Sequence, residues 1–173
     1  MGDLRAVIAA AINASDLSPS DLRETHVDRI GALAFADALG GALWALKWGG
    51  DAKAHPRALA LLSHASKRVC DDRKMREKLC RAALSEWLDD LCRKCGGRGG
   101  IGATSVSPAR QCHVCEGSGR RQISEAWRAR ELGLERSTYR KWETRYNAVQ
   151  GRITEAETRV WQDITRQLER SKR

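Results

Sequence analysis

The sequence predicts an all-α protein, a helical bundle carrying an inserted four-cysteine module and a helix-turn-helix. Three observations carry this reading. Apolar residues recur at helical spacing along most of the 173-residue chain. That pattern is interrupted by Cys92-Arg93-Lys94-Cys95-Gly96-Gly97-Arg98-Gly99 and its counterpart Cys112-His113-Val114-Cys115-Glu116-Gly117-Ser118-Gly119. Beyond them, an amphipathic run led by Ser124 stops at Gly133, and another takes up immediately. No strand is required outside the cysteine module.

The helices come in order. From Asp3 to Ala14, the residues Leu4, Val7, Ile8, Ala11 and Ile12 keep a helical period and predict a short first helix. Ser18 can cap a second helix, with Pro19 at its first position and Asp21 at its positive end. Its apolar positions Val27, Ile30, Leu33, Ala34, Leu43, Trp44 and Leu46 run to Gly49-Gly50, and Gly40-Gly41 marks a break or a close helix contact. After Pro56 a third helix presents Leu59, Leu62, Ala65 and Val69 on one face. After Asp71-Asp72 a fourth presents Met75, Leu79, Ala83 and Trp87. Short connections make these helices antiparallel neighbours in an N-terminal body, residues 1–91. Cys70 and Cys80 read as small buried side chains rather than as a chelating pair.

Residues 92–119 form the module. The 16 residues between Cys95 and Cys112 put two Cys-x-x-Cys pairs at zinc-site spacing. Zn²⁺ takes four ligands in a tetrahedron, and each pair supplies two thiolates from a tight turn. Cys92, Cys95, Cys112 and Cys115 are therefore the expected ligands of one structural Zn²⁺. The intervening residues offer little to bury, so the metal must supply what a core cannot. A redox dithiol would stand singly in a βαβ pattern, which is absent. His113 is surplus to a filled site, and His26, His55 and His64 are scattered. The stretch from Gly100 to Arg110 reads as a flexible tip.

Residues 120–150 form the hairpin. Ser124 caps Glu125 to Leu132, Gly133 makes the turn, and small Ala129 permits close crossing. A second helix is expected from Ser137 to Tyr146, burying Tyr139, Trp142, Tyr146 and Val149. Its outer face carries Arg136, Ser137, Arg140, Lys141, Thr144 and Arg145, the candidate DNA-contacting residues. Arg128 stands where such motifs commonly place an apolar residue, which leaves rotation of the first helix or packing by Trp127 to fill the angle. Thr154 and Glu157 then read as a capping box. It opens a C-terminal basic helix, residues 151–173, with Trp161, Ile164 and Leu168 along its stripe.

The net charge of +9 points to an acidic partner, most often nucleic acid. From Glu116 to Arg173 there are 14 Lys or Arg against 9 Asp or Glu, so positive charge accompanies the hairpin. Thiolate-rich zinc spacing suits a reducing interior. The N-terminus lacks signal-peptide character, and Asp37 and Lys47 interrupt the longest apolar run. The expectation is a cytoplasmic protein, without a membrane or small-molecule partner. No Walker motif, catalytic triad or paired-acid arrangement suggests an enzyme.

The order of these parts is distinctive. A helical front with Leu43-Trp44-Ala45-Leu46-Lys47-Trp48, a glycine-rich four-cysteine module and then Gly133-Leu134-Glu135-Arg136-Ser137-Thr138-Tyr139 resembles the phage antitermination protein Q family. The likeness covers most of Ile30 to Ala156. It implies a late-gene regulator that binds a DNA element at a phage late promoter and engages the paused host RNA polymerase. The polymerase then reads through terminators. It also implies a structural zinc module and a DNA-facing hairpin. Two other readings stand beside it. One is a DNA-binding regulator that only occupies its site. The other is a polypeptide-binding protein, because the paired cysteine units look like those of DnaJ-type co-chaperones, although that zinc region has four such units and this chain lacks the His-Pro-Asp turn.

Overall fold

The computed structural model describes residues 37–102 and 110–170 and is mainly helical. Its elements are α1 (Ala38–Lys47), α2 (Ala54–Ala65), α3 (Arg73–Leu88), β1 (Gly100–Ile101), β2 (Arg110–Gln111), α4 (Glu125–Leu132), α5 (Arg136–Tyr139) and α6 (Glu143–Arg170). The expected first helix, the start of the second, His26 and the centre of the 100–110 tip lie outside the described residues. The chain divides into two compact units, one holding Val69–Gln150 and the other the described residues before Val69 together with those from Gly151 onward.

In the latter unit, Asp37 caps the observed helix, accepting a 2.8 Å hydrogen bond from the Gly40 amide, and the expected Ser18 cap lies outside the described residues. Gly40 does not break α1. A Cβ there would stand 2.5 Å from Cγ2 of Val160 and 3.0 Å from the Ala156 carbonyl oxygen, so its hydrogen lets α1 and α6 approach closely. Leu43 and Trp44 add buried apolar surface. Helix α2 begins before Pro56, and its buried positions are Ala54, Ala58 and Leu62. The expected face of Leu59, Ala65 and Val69 is thus rotated: Leu59 is half-buried, Ala65 is exposed, and Val69 lies past the helix end. Two alanines and a leucine bury less area than three large residues would, but small side chains let the helix come nearer its neighbour.

In the unit Val69–Gln150, Asp72 caps α3 by accepting from the amides of Lys74 and Met75. Leu79, Ala83 and Trp87 are buried as their spacing predicts, while Met75 is only half-buried. Cys70 and Cys80 are buried side chains in this core. Arg76 is buried as well, and its guanidinium donates to the Cys70 carbonyl at 2.7 Å and to that of Asp71 at 3.3 Å. A buried cation is tolerable when its donors are satisfied in this way.

The longest element corrects two expectations. The chain does not form one helix from Ser137 to Tyr146. Four residues make α5, a turn follows, and α6 then runs 28 residues without interruption. Thr154 and Glu157 consequently sit inside α6 rather than at a helix start. Tyr146, Val149, Ile153, Ala156, Val160 and Ile164 are all buried at spacings of three or four, and this unbroken stripe carries the helix through Gly151. No described helix is long and apolar enough to cross a membrane.

Candidate metal centre and helical hairpin

The cysteine module is built from two copies of one local structure. In each, the chain turns after Cys-x-x-Cys so that backbone amides fold back toward the first residues. Gly97 donates to the Cys92 carbonyl, and Gly117 donates to that of Cys112, both at 3.3 Å. Arg98 donates to the Cys95 carbonyl at 3.2 Å, and Ser118 to that of Cys115 at 2.9 Å. The copies then cross. The Cys92 amide donates to Gly119 and the Cys112 amide to Gly99, each at 2.8 Å.

Glycine is required at the crossings. Gly99 has φ +72° and Gly119 φ +71°, and a Cβ on either would run into the carbonyl oxygen of Gly117 or Gly97 respectively. The symmetry fails at one place: Gly96, at φ +59°, is matched by Glu116 at φ 51°, the only non-glycine residue with positive φ among the described residues. Antiparallel pairing of β1 with β2, and a bridge between Leu91 and Arg120, close the module at its two ends.

This frame brings together all four predicted ligands. The Sγ atoms of Cys92, Cys95, Cys112 and Cys115 lie within 4.8 Å of one another and are buried. The Cys92–Cys112 separation is 4.0 Å and the Cys95–Cys115 separation 3.7 Å. These are far too long for disulfides, whose sulfurs stand about 2.05 Å apart. They match a tetrahedron, whose edge is about 3.8 Å when each thiolate binds a central ion at about 2.3 Å. The four residues could therefore hold one metal ion. Ile101 packs against them. Among the described residues no histidine or carboxylate joins the cluster, and His113 is exposed.

Electrostatics prepare the thiols unequally. Burial pushes the Cys112 thiol up, but hydrogen bonds from the backbone at Cys115 and Val114, together with neighbouring sulfurs, bring it down to about 7. Burial and the sulfurs of Cys112, Cys95 and Cys92 push Cys115 up to about 11, against the opposing Gly119 amide. That amide lies 3.3 Å from the Cys115 sulfur. Four adjacent thiols cannot all carry charge without a cation between them, and a metal ion held there would supply it.

The hairpin follows directly. Ser124 accepts from the Trp127 amide at 3.2 Å and caps α4. Gly133, at φ 67°, ends it in the left-handed conformation, and Ala129 and Leu132 are buried. Arg128 is the residue that fills the angle. Its guanidinium makes a two-pronged ion pair with Glu86 of α3, at 2.8 and 2.7 Å, and lies 5.2 Å from the centre of the Tyr146 ring. Tyr146 donates its hydroxyl proton to the same carboxylate at 2.8 Å, and its ring meets Tyr139 edge to face at 6.1 Å. Glu86 holds the Arg128 charge in place despite its partial burial and raises its already high pKa. Burial, reinforced by Glu86, also raises the Tyr146 phenol and keeps it protonated.

Tyr139, Tyr146 and Val149 are buried as expected, and Trp142 is half-buried with Arg145 stacked over its ring at 4.9 Å. Arg136, Ser137, Arg140, Lys141, Thr144 and Arg145 are all exposed. They span α5, the turn and the start of α6 rather than one helix face. Glu125 draws Arg136 to 3.2 Å and Arg140 to 3.9 Å, which fixes two of these cations against α4.

Sequence reasoning did not find Glu86, which lies 42 residues before Arg128 and becomes its partner only through folding. The available signal was Arg128 itself, a charge at an inward position that demands an acid. A scan of protein-family models and a search of curated proteins found no match to the chain.

Proposed function

We propose that this protein is a zinc-stabilised DNA-binding transcription regulator whose hairpin meets duplex DNA. The observation that supports this reading most is the division of the hairpin. Aromatic residues are buried on one side, and six basic or hydroxyl residues are exposed on the other. Such a surface can meet phosphates with Arg136, Arg140, Lys141 and Arg145, and base edges with Ser137 and Thr144. Because the chain turns between α5 and α6, these residues present a corner to DNA rather than a straight recognition helix. An all-thiolate tetrahedral set favours Zn²⁺, which holds the module without redox chemistry.

The more specific reading, carried by the order of motifs along the chain, is a phage late-gene antiterminator that also engages the host RNA polymerase. It assigns the N-terminal body a partner, since no catalytic cluster among its described residues suggests another task. The test is transcription from a late promoter through a terminator with purified protein and host polymerase. Read-through that requires the promoter-proximal site is expected. Confirmed promoter binding with unchanged termination would leave only the simpler regulator. Arg140→Ala and Lys141→Ala should weaken duplex binding and leave helicity unchanged, and full binding by both at every salt concentration would remove the hairpin as the contact.

A further inference from the structure

Between the metal module and the hairpin lies a concave surface that the duplex reading does not use. One hollow of about 670 Å³ is bordered by Arg93, Lys94, Val114 and Arg121. A second, of about 300 Å³, runs along the first turns of α4 past Trp127 and Arg130. Both are lined by Arg121 and Gln122, so they adjoin at this segment within the unit Val69–Gln150, and the pair is called the channel.

Its chemistry is mixed in a particular way. Arg93, Lys94, Arg121 and Arg130 place four cations along it. Asp89 offsets two of these, pairing with Arg93 at 2.8 Å and also with Arg121, and Glu131 stands 4.0 Å from Arg130. The channel also offers flat or apolar surface: half-buried Trp127, and Val114, which at 49 % is one of two conspicuously exposed large apolar residues among those described. Cations beside an aromatic platform in a groove are what an unpaired nucleic-acid strand requires, since phosphates track the charge while bases stack. A duplex has its bases stacked internally and makes no use of Trp127 or Val114. An acidic peptide would use the cations alone.

We propose that this channel binds a short stretch of single-stranded DNA, with its phosphates on Lys94, Arg121 and Arg130 and a base against Trp127. The choice of DNA rests on the proposed duplex-binding reading. Glu125, which holds Arg136 and Arg140, directly precedes Ala126 of the channel wall, so both surfaces draw on the first turn of α4. The site lies apart from the six hairpin contacts and gives the protein a second nucleic-acid interaction.

The experiment measures binding of labelled oligo(dT), oligo(rU), a duplex of matching length and poly-Glu to metal-loaded protein by fluorescence anisotropy across a salt series. Oligo(dT) binding should fall at least several-fold in Trp127→Ala and, separately, in Lys94→Ala/Arg130→Ala. The double variant should flatten the salt slope by about 1.4, at about 0.7 per single-strand phosphate contact. Trp127→Phe, which keeps a ring, should retain most binding, and metal content and helicity should match the parent throughout. Arg140→Ala should weaken duplex binding and spare oligo(dT), so failure of the hairpin reading and failure of the channel are distinguishable. Poly-Glu binding as tight as oligo(dT), a preference for oligo(rU), or channel variants that lose only duplex binding would each overturn the proposal.

Discussion

Replacing Arg128 tests whether one ion pair joins the hairpin to α3. Its side chain is 23 % exposed and that of Glu86 15 %, so the pair is neither a surface bridge nor fully buried. A surface pair contributes about 0 to 1 kcal/mol. Removing one partner of a buried pair costs about 3 to 5 kcal/mol because the other charge is stranded. Between these limits, Arg128→Ala should destabilise by about 2 to 3 kcal/mol. Glu86→Ala should cost slightly more, because Tyr146 loses its acceptor too. In the double variant neither charge is stranded, so the losses should fall short of additivity by about 1.5 kcal/mol or more. Glu86→Leu with Arg128→Met and Tyr146→Phe should recover most of the loss by filling the space with apolar atoms and leaving no buried hydroxyl without an acceptor. Urea unfolding of metal-loaded protein, followed by circular dichroism, measures each value. Additivity to within about 0.5 kcal/mol would show that the two side chains act independently and would refute the account.

Further outcomes concern metal, backbone and pH. Purified protein should carry one zinc ion, lost in Cys92→Ser or Cys112→Ser and retained in Cys70→Ser, with native mass spectrometry as the readout; a second ion, or folded metal-free protein in excess chelator, would contradict the site. Metal should be released progressively as pH falls, since protons compete for the thiolates. Gly99→Ala and Gly119→Ala should each abolish metal retention, because a Cβ collides with the facing backbone. Glu116→Gly relieves a positive φ and should leave stability unchanged or raise it by about 1 kcal/mol. The raised Tyr146 phenol contributes stability that is fully present below its ordinary pKa of about 10 and is lost as pH rises above that value. Alkaline unfolding should therefore begin above about pH 10, and Tyr146→Phe should flatten this limb while costing about 1 kcal/mol at neutral pH.

What the sequence makes legible is local. The cysteine spacing, the Ser124 cap and the Gly133 stop each need only a few neighbouring residues, and each appears where expected. The turn between α5 and α6 carries no such mark, since neither proline nor glycine lies between Arg136 and Tyr146. Its cause is packing. Seven residues of straight helix rise about 10.5 Å; the turn, closed by the Lys141 and Trp142 amides bonding three residues back, allows the Tyr139 and Tyr146 rings to meet at 6.1 Å. The apparent capping box at Thr154 misleads for the opposite reason, because a buried stripe overrides a local stop.

The bridge between Leu91 and Arg120 changes the length of chain that α3 and α4 must close. From the end of α3 at Leu88 to the start of α4 at Glu125, the connection is 36 residues. With the thiolates joined and the bridge made, only Asp89, Asp90 and Arg121 to Ser124 remain outside the closed ring. Reducing the effective loop from 36 residues to about six recovers about 1.5 to 2 kcal/mol of closure entropy. A metal bound by these four cysteines would thus act on the hairpin without touching it, as a knot that shortens the tether between two helices.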